Sequence, residues 1–293
     1  MTATRPDTQV RAALLAMQRD EATSQQTYLR LANVIRDAHN AAVLREIAAE
    51  EERHYAELKA LTGREVAPRR AKIALFTFLA RLFGLTFVLK LMERGEEGAQ
   101  VAYATQSSRV PQLEAIMADE HDHEEELLNM LDEEALRYAG SVVLGLNDAL
   151  VELTGALAGY SLAFQNTHTI ALTGLITGIS ASLSMSASEF LSVRAEGGER
   201  SPGRSALYTG IAYVITVALL VLPYLVLSHY LVCLGMTLLV AVGIIALFNY
   251  YLSVVQGFAY RRRFAEMAVI SLGVAALSFG IGYVVRMVFG VGE

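Results

Sequence analysis

Cysteine is nearly absent: the sole thiol, Cys233, stands inside an apolar run. This excludes a disulfide framework or a thiolate zinc site within one chain. Charge is scarce in the second half of the 293-residue chain, where residues 140–293 carry 7 Lys/Arg and 7 Asp/Glu among long apolar runs. That half is expected to lie in lipid. The first half lacks a basic excess, with 17 Lys/Arg against 23 Asp/Glu in residues 1–139. Such an acidic balance argues against nucleic acid as a partner and suits cations. Residues 1–30 are polar and helix-forming rather than the apolar start of a secretory signal, so this half is expected in the cytosol.

The apolar runs number five, at about 140–164, 169–193, 205–228, 231–252 and 264–289, each near the ~20 residues that a spanning helix needs. Arg194, Arg200 and Arg204 lie between the second and third runs, and Arg261, Arg262 and Arg263 between the fourth and fifth. The other two connections hold no Lys or Arg. The positive-inside rule puts the Arg-bearing loops and the N-terminal half on the cytosolic side, and an odd number of spans puts Glu293 outside.

Four ionisable or soft groups interrupt the first two runs. Asp148 and Glu152 are four apart on one face of span one, and Met185 and Glu189 are four apart on span two. A carboxylate inside a span is costly and faces a protein interior or a water-filled path. At ~1.5 Å rise per residue, Asp148 and Met185 each lie about 12 Å from the cytosolic end of their spans, so the two can face each other. Glu189 is then nearer the cytosolic mouth and Glu152 nearer the midplane. Carboxylates with a thioether suit a borderline divalent metal better than Mg²⁺ or Ca²⁺. The competing reading makes Met185 a packing residue and the carboxylates interhelical hydrogen-bond partners. Gly174, Gly178, Ser182 and Ser186 recur every four positions as a close-packing face, serving either one chain or a dimer seam.

Before the membrane, helical segments are expected at 8–37, 40–62, 71–108 and 111–138, with Gly63 at a helix end and Pro111 in a first turn. Long helices with short connections imply a bundle. A repeated pattern runs along them. Glu21 is followed seven on by Tyr28, and Glu96 seven on by Tyr103; Glu51 precedes His54 by three, and Glu120 precedes His123 by three. A Glu from each of two helices plus a Glu-x-x-His from each of the other two is the ligand set of ferritin-like di-iron sites. Carboxylate-rich, two-His sites select Fe²⁺ or Mn²⁺. Glu93 and Glu97 compete with Glu96, Asp20 competes weakly with Glu21, and His121 is left to solvent or a supporting place. Glu50, Glu52, Glu125 and Glu126 are taken as solvated charge. Residues 73–91 are unusually apolar, with Arg81 and Lys90 as their only charges. They form either a helix on the bilayer surface or bundle core plus a dimer contact.

These residues resemble a fusion of two families. Residues 1–138 are similar to the rubrerythrin and erythrin branch of ferritin-like proteins, and residues 139–293 to the vacuolar iron transporter family. The whole resembles the bacterial membrane-bound ferritin-type iron exporters that join them. Gly145-Leu146-Asn147-Asp148-Ala149-Leu150 is similar to that family's Gly-x-x-Asp-Gly-Leu. The stretch from Ile179 through Ser186, with Met185, resembles its small-residue segment with a pathway methionine. Gly273, Gly280 and Gly282 resemble its last span.

The resemblance implies an all-α chain, a ferritin-like four-helix bundle followed by a five-helix transmembrane domain. It implies Fe²⁺ export from the cytosol of a bacterium across the inner membrane, in exchange for protons, by a homodimer. Asp148 and Met185 would be the pathway residues, with Glu152 and Glu189 beside them. A di-iron centre at Glu21, Glu51, His54, Glu93, Glu96, Glu97, Glu120 and His123 would collect or sense the metal. The short Arg194–Arg204 connection departs from the long acidic insertion of the plant members, and the four-Cys site of rubrerythrins proper has no counterpart. The rival expectation is a membrane-anchored di-iron ferroxidase or peroxide-scavenging enzyme.

Overall fold

The computed structural model describes residues 8–35, 37–95, 110, 113, 116, 119–120, 123, 127, 133–198 and 200–289. Its described elements are helical throughout, and the chain divides into two compact units, 1–132 and 133–293.

In the first unit, α1 spans Thr8–Ala32 and α2 spans Ala38–Thr62. The first helix was expected to reach residue 37. Instead it stops at Ala32, because Asp37 caps α2 by accepting from the Asn40 amide at 2.8 Å. Gly63 closes α2 in the left-handed region (φ 67°), where a Cβ is disfavoured. The two helices run antiparallel, since Arg11 and Gln18 near the start of α1 bond to Thr62 and Arg64 at the end of α2. Gln18 is fully buried and satisfied at both ends of its amide: it accepts from Thr62 Oγ1 at 2.8 Å and donates to the Arg64 carbonyl at 2.8 Å.

The connection after α2 is held by Tyr55, whose hydroxyl meets both the carbonyl and the amide of Val66. α3 (Arg70–Phe83) then packs against α1, and its buried side chains are Ile73 and Phe76. A single helix over 71–108 was expected. The chain breaks at Gly84 (φ 87°, ψ 168°), a backbone conformation that L side chains rarely adopt, and residues 85–95 are helical again. Leu113, Ile116, Asp119, Glu120, His123 and Leu127 are helical, and Leu113 and Ile116 join Val10, Leu14, Met17 and Leu58 in one apolar core. Glu96, Glu97, Tyr103, Pro111 and His121 lie outside the described residues.

The second unit consists of α4 (Glu133–Phe164), α5 (Thr167–Glu196), α6 (Pro202–Val226), α7 (Tyr230–Gln256) and α8 (Tyr260–Phe289). No helix end separates residues 138 and 140; α4 runs through. Among the described residues, five segments are long and apolar enough to cross a membrane: Tyr138–Phe164, Thr167–Glu196, Pro202–Val226, Tyr230–Gln256 and Tyr260–Val288. α4 is central and packs against each of the other four.

The small residues of α5 seat it inside the chain. Ser182 donates to the Gly210 carbonyl at 3.2 Å, and a Cβ at Gly178 would stand 2.6 Å from Val217. The close-packing face thus meets α6, which decides the alternative that the sequence left open. α4 approaches α6 just as closely: a Cβ at Gly145 would stand 2.4 Å from the Thr209 carbonyl oxygen. The shared core holds Leu150, Leu153, Leu157, Tyr213, Leu220, Val221 and Tyr224.

Candidate metal cluster and membrane carboxylates

In the first unit, the antiparallel pairing of α1 and α2 brings Glu21 level with Glu51 and His54. Together with Glu120 they form a group whose ligand-capable atoms all lie within 4.8 Å of one another. Glu21, Glu51 and His54 are 5%, 2% and 2% exposed, so the donors have left water. Two buried carboxylates and the half-buried Glu120, gathered round an imidazole, repel one another unless a cation or protons neutralise them. This donor set, oxygen-rich with imidazole, fits a divalent cation of the Fe²⁺ or Mn²⁺ kind.

Each histidine is held from the opposite helix. His54 Nε2 lies 3.1 Å from Asp119 Oδ2, while its Nδ1 is turned toward Glu120 Oε1 at 3.5 Å. His123 Nε2 pairs with Glu50 Oε2, and its Nδ1 is buried without a hydrogen-bond partner. The two rings stand 5.7 Å apart. A metal-binding imidazole commonly has its far nitrogen fixed by a carboxylate, leaving the near one to face the ion. The pairs are reciprocal: the acid just before Glu120 holds the α2 histidine, and the acid just before Glu51 holds the other. Burial lowers the His54 pKa, but Glu120, Asp119 and Glu21 outweigh it and push it up to about 9.

Glu50 is therefore not merely a solvated charge; though its side chain is 40% exposed, it bridges Arg53 at 3.0 Å and His123. Asp119 was likewise missed. The signal was present as a repeat one residue longer, acid-Glu-x-x-His, at Glu50–His54 and Asp119–His123. Glu93 pairs with Lys90 at 2.8 Å.

In the second unit, α4 and α5 are antiparallel, with Ser141 bonded to Glu189 at 2.7 Å and Tyr160 to Thr177 at 3.1 Å. Between these contacts the register sets Met185 level with Asp148. Met185 is half-buried and packs on the central core; Asp148 is half-buried as well. Glu189 is 7% exposed and takes the Ser141 hydroxyl as donor, and Ser141's own carbonyl accepts from Thr209 at 2.9 Å. Glu152 is exposed on the unit's surface and accepts from the fully buried Tyr213 hydroxyl at 2.9 Å. Tyr213 and Ser141 carry no signal in the sequence, because a hydroxyl in an apolar run shows its partner only after the helices pack.

A stretch that starts within α4 and covers α5 is similar to a known family. Residues 139–198 match the VIT family. The matched stretch contains Asp148, Glu152, Met185 and Glu189, and similarity to the VIT family suggests membrane metal-ion transport. No curated protein and no solved structure matches the chain. The matched stretch lies in a unit that has, among the described residues, five helices long and apolar enough to cross a bilayer, which suggests a multi-pass membrane protein.

Proposed function

We propose that this chain exports a divalent metal ion, ferrous iron first and manganese second, from the cytosol across a bacterial inner membrane. The observation that carries the reading is the VIT-family match over residues 139–198, which holds Asp148 and Met185 at one level of two antiparallel spans. Asp148 and Met185 would hold the ion in passage, while Glu152 and Glu189 exchange protons or form outer stations. Carboxylates that face a path through a span are able to take up either a metal ion or a proton, so exchange of one for the other is chemically natural.

The first unit, read as a ferritin-like di-iron bundle, would collect or sense the metal at Glu21, Glu51, His54, Glu120 and His123. Glu93, Glu96 and Glu97 are further candidate ligands. The Arg-bearing connections support a cytosolic first unit, and exposure of Glu152 on a single copy supports a homodimer.

The test is metal uptake into inverted vesicles that carry the full chain, with Fe²⁺ and Mn²⁺ in parallel. Transport is expected to fail in Asp148→Ala and Met185→Ala; wild-type uptake in both variants overturns the pathway. The buried carboxylate–His cluster favours a second reading, a membrane-anchored ferroxidase or peroxide-scavenging enzyme. Oxygen or peroxide consumption lost in Glu51→Ala, without any metal flux, would replace the first reading by the second.

A further inference from the structure

The apolar excess around residue 73 resolves into two opposite faces of α3. Ile73 and Phe76 are buried, whereas Leu75, Phe78 and Leu82 are 52%, 60% and 60% exposed. At 100° per residue the three exposed side chains, with Ala71, form one stripe, and Lys72 and Arg81 flank it on either side. From residue 66 to residue 92 the sequence has no Asp or Glu and has five basic residues. Arg69 is committed to Asp20 and Lys90 to Glu93. Arg70 and Arg81 form no ion pair among the described residues, and neither does Lys72, whose Nζ lies 5.4 Å from the centre of the Phe76 ring.

We propose that α3 is a membrane-surface helix that docks on an anionic leaflet, with Leu75, Phe78 and Leu82 in the acyl boundary and Lys72 and Arg81 at the phosphates. An apolar stripe flanked by cations whose stems can run alongside it is the form of an interfacial helix. Three large side chains in a row exceed the scattered apolar exposure usual on a soluble surface. The charge selects the occupant: an acid-free segment whose Arg70, Lys72 and Arg81 have no carboxylate partner among the described residues complements anionic lipid. The same chain continues into five helices able to cross a bilayer, so a leaflet lies within its tether. The assignment is independent of metal transport and of the cluster's contents.

The chain lacks tryptophan, so Phe78→Trp supplies a single-site reporter in the full-length protein. The variant is reconstituted into vesicles of brominated phosphatidylcholine, with or without about 30% phosphatidylglycerol. Leu82→Trp is a second reporter on the stripe. Leu29→Trp, at an exposed position of α1, is the off-stripe control. Both stripe reporters are expected to shift to the blue and to lose at least half of their emission to bromine, more so with the anionic lipid, while the control stays unquenched. Adding Lys72→Glu and Arg81→Glu is expected to remove the dependence on anionic lipid. Emission as red and unquenched as the control overturns the proposal in favour of a solvated helix. A blue shift without bromine quenching overturns it in favour of a contact between two copies.

Discussion

His54 presents its Nε2 to Asp119 Oδ2 at 3.1 Å, so the imidazole on α2 is oriented by an acid sixty-five positions away in sequence. His123 and Glu50 repeat the arrangement in reverse. Each pair fixes which ring nitrogen is left for an ion.

Removing either acid should loosen the site without dismantling it. Asp119→Ala and Glu50→Ala are expected to weaken Fe²⁺ or Mn²⁺ binding by about 10–100-fold, the usual scale for losing the carboxylate behind a metal-bound imidazole. Glu52→Ala, an exposed neighbour, should leave affinity unchanged. Titration with each metal in turn measures all three.

The pH dependence carries a definite sign. The His54 value of about 9 lies above its ordinary 6.5, so in metal-stripped protein the charged ring adds stability that is complete below pH 6.5 and is lost as pH rises through 9. The thermal transition of the first unit should fall over that window, and His54→Gln should flatten it. Metal reverses the direction, because the ion needs the neutral ring. Affinity should therefore drop about tenfold per pH unit below pH 9.

Two hydrogen bonds within the spans should matter to transport. Tyr213→Phe removes the donor to Glu152, and Ser141→Ala removes the donor to the buried Glu189. Hydrogen bonds to charged groups contribute about 1.5–3 kcal/mol. Uptake is expected to fall about tenfold or more where that bond is needed in the cycle. Unchanged uptake in Tyr213→Phe would remove Glu152 from the pathway.

Packing of α4 on α6 is tested at Gly145. A Cβ there would meet the Thr209 carbonyl oxygen at 2.4 Å, so the backbones must part. Gly145→Ala should destabilise the second unit by about 1–3 kcal/mol, the cost of overpacking a close-packed core. Gly235→Ala, with open space at its Cβ, should not destabilise it. Thermal melting in detergent compares them.

Much of this was legible before any coordinates. Hydropathy alone located five apolar helices within a few residues of their ends, since a span must be both long and apolar. The i, i+3 spacing picked out Glu51–His54 and Glu120–His123 because it places two side chains on one helical face. Gly84 was hidden: the apolar run continues across it, and only the backbone angles show the break. Glu50 was hidden differently. The i, i+3 spacing marks Glu51, and the longer acid-Glu-x-x-His repeat marks Glu50 as well, but only the neighbouring helix shows which histidine Glu50 meets.

By itself the sequence determined that this chain has an acidic helical part and five lipid-compatible helices, because hydropathy and helical period are local properties. Only the tertiary structure decided which carboxylates converge within 4.8 Å, which acid holds which histidine, and that the small-residue face of α5 meets α6. Those are contacts between residues tens of positions apart, and their partners are set by how helices pack rather than by any neighbouring residue.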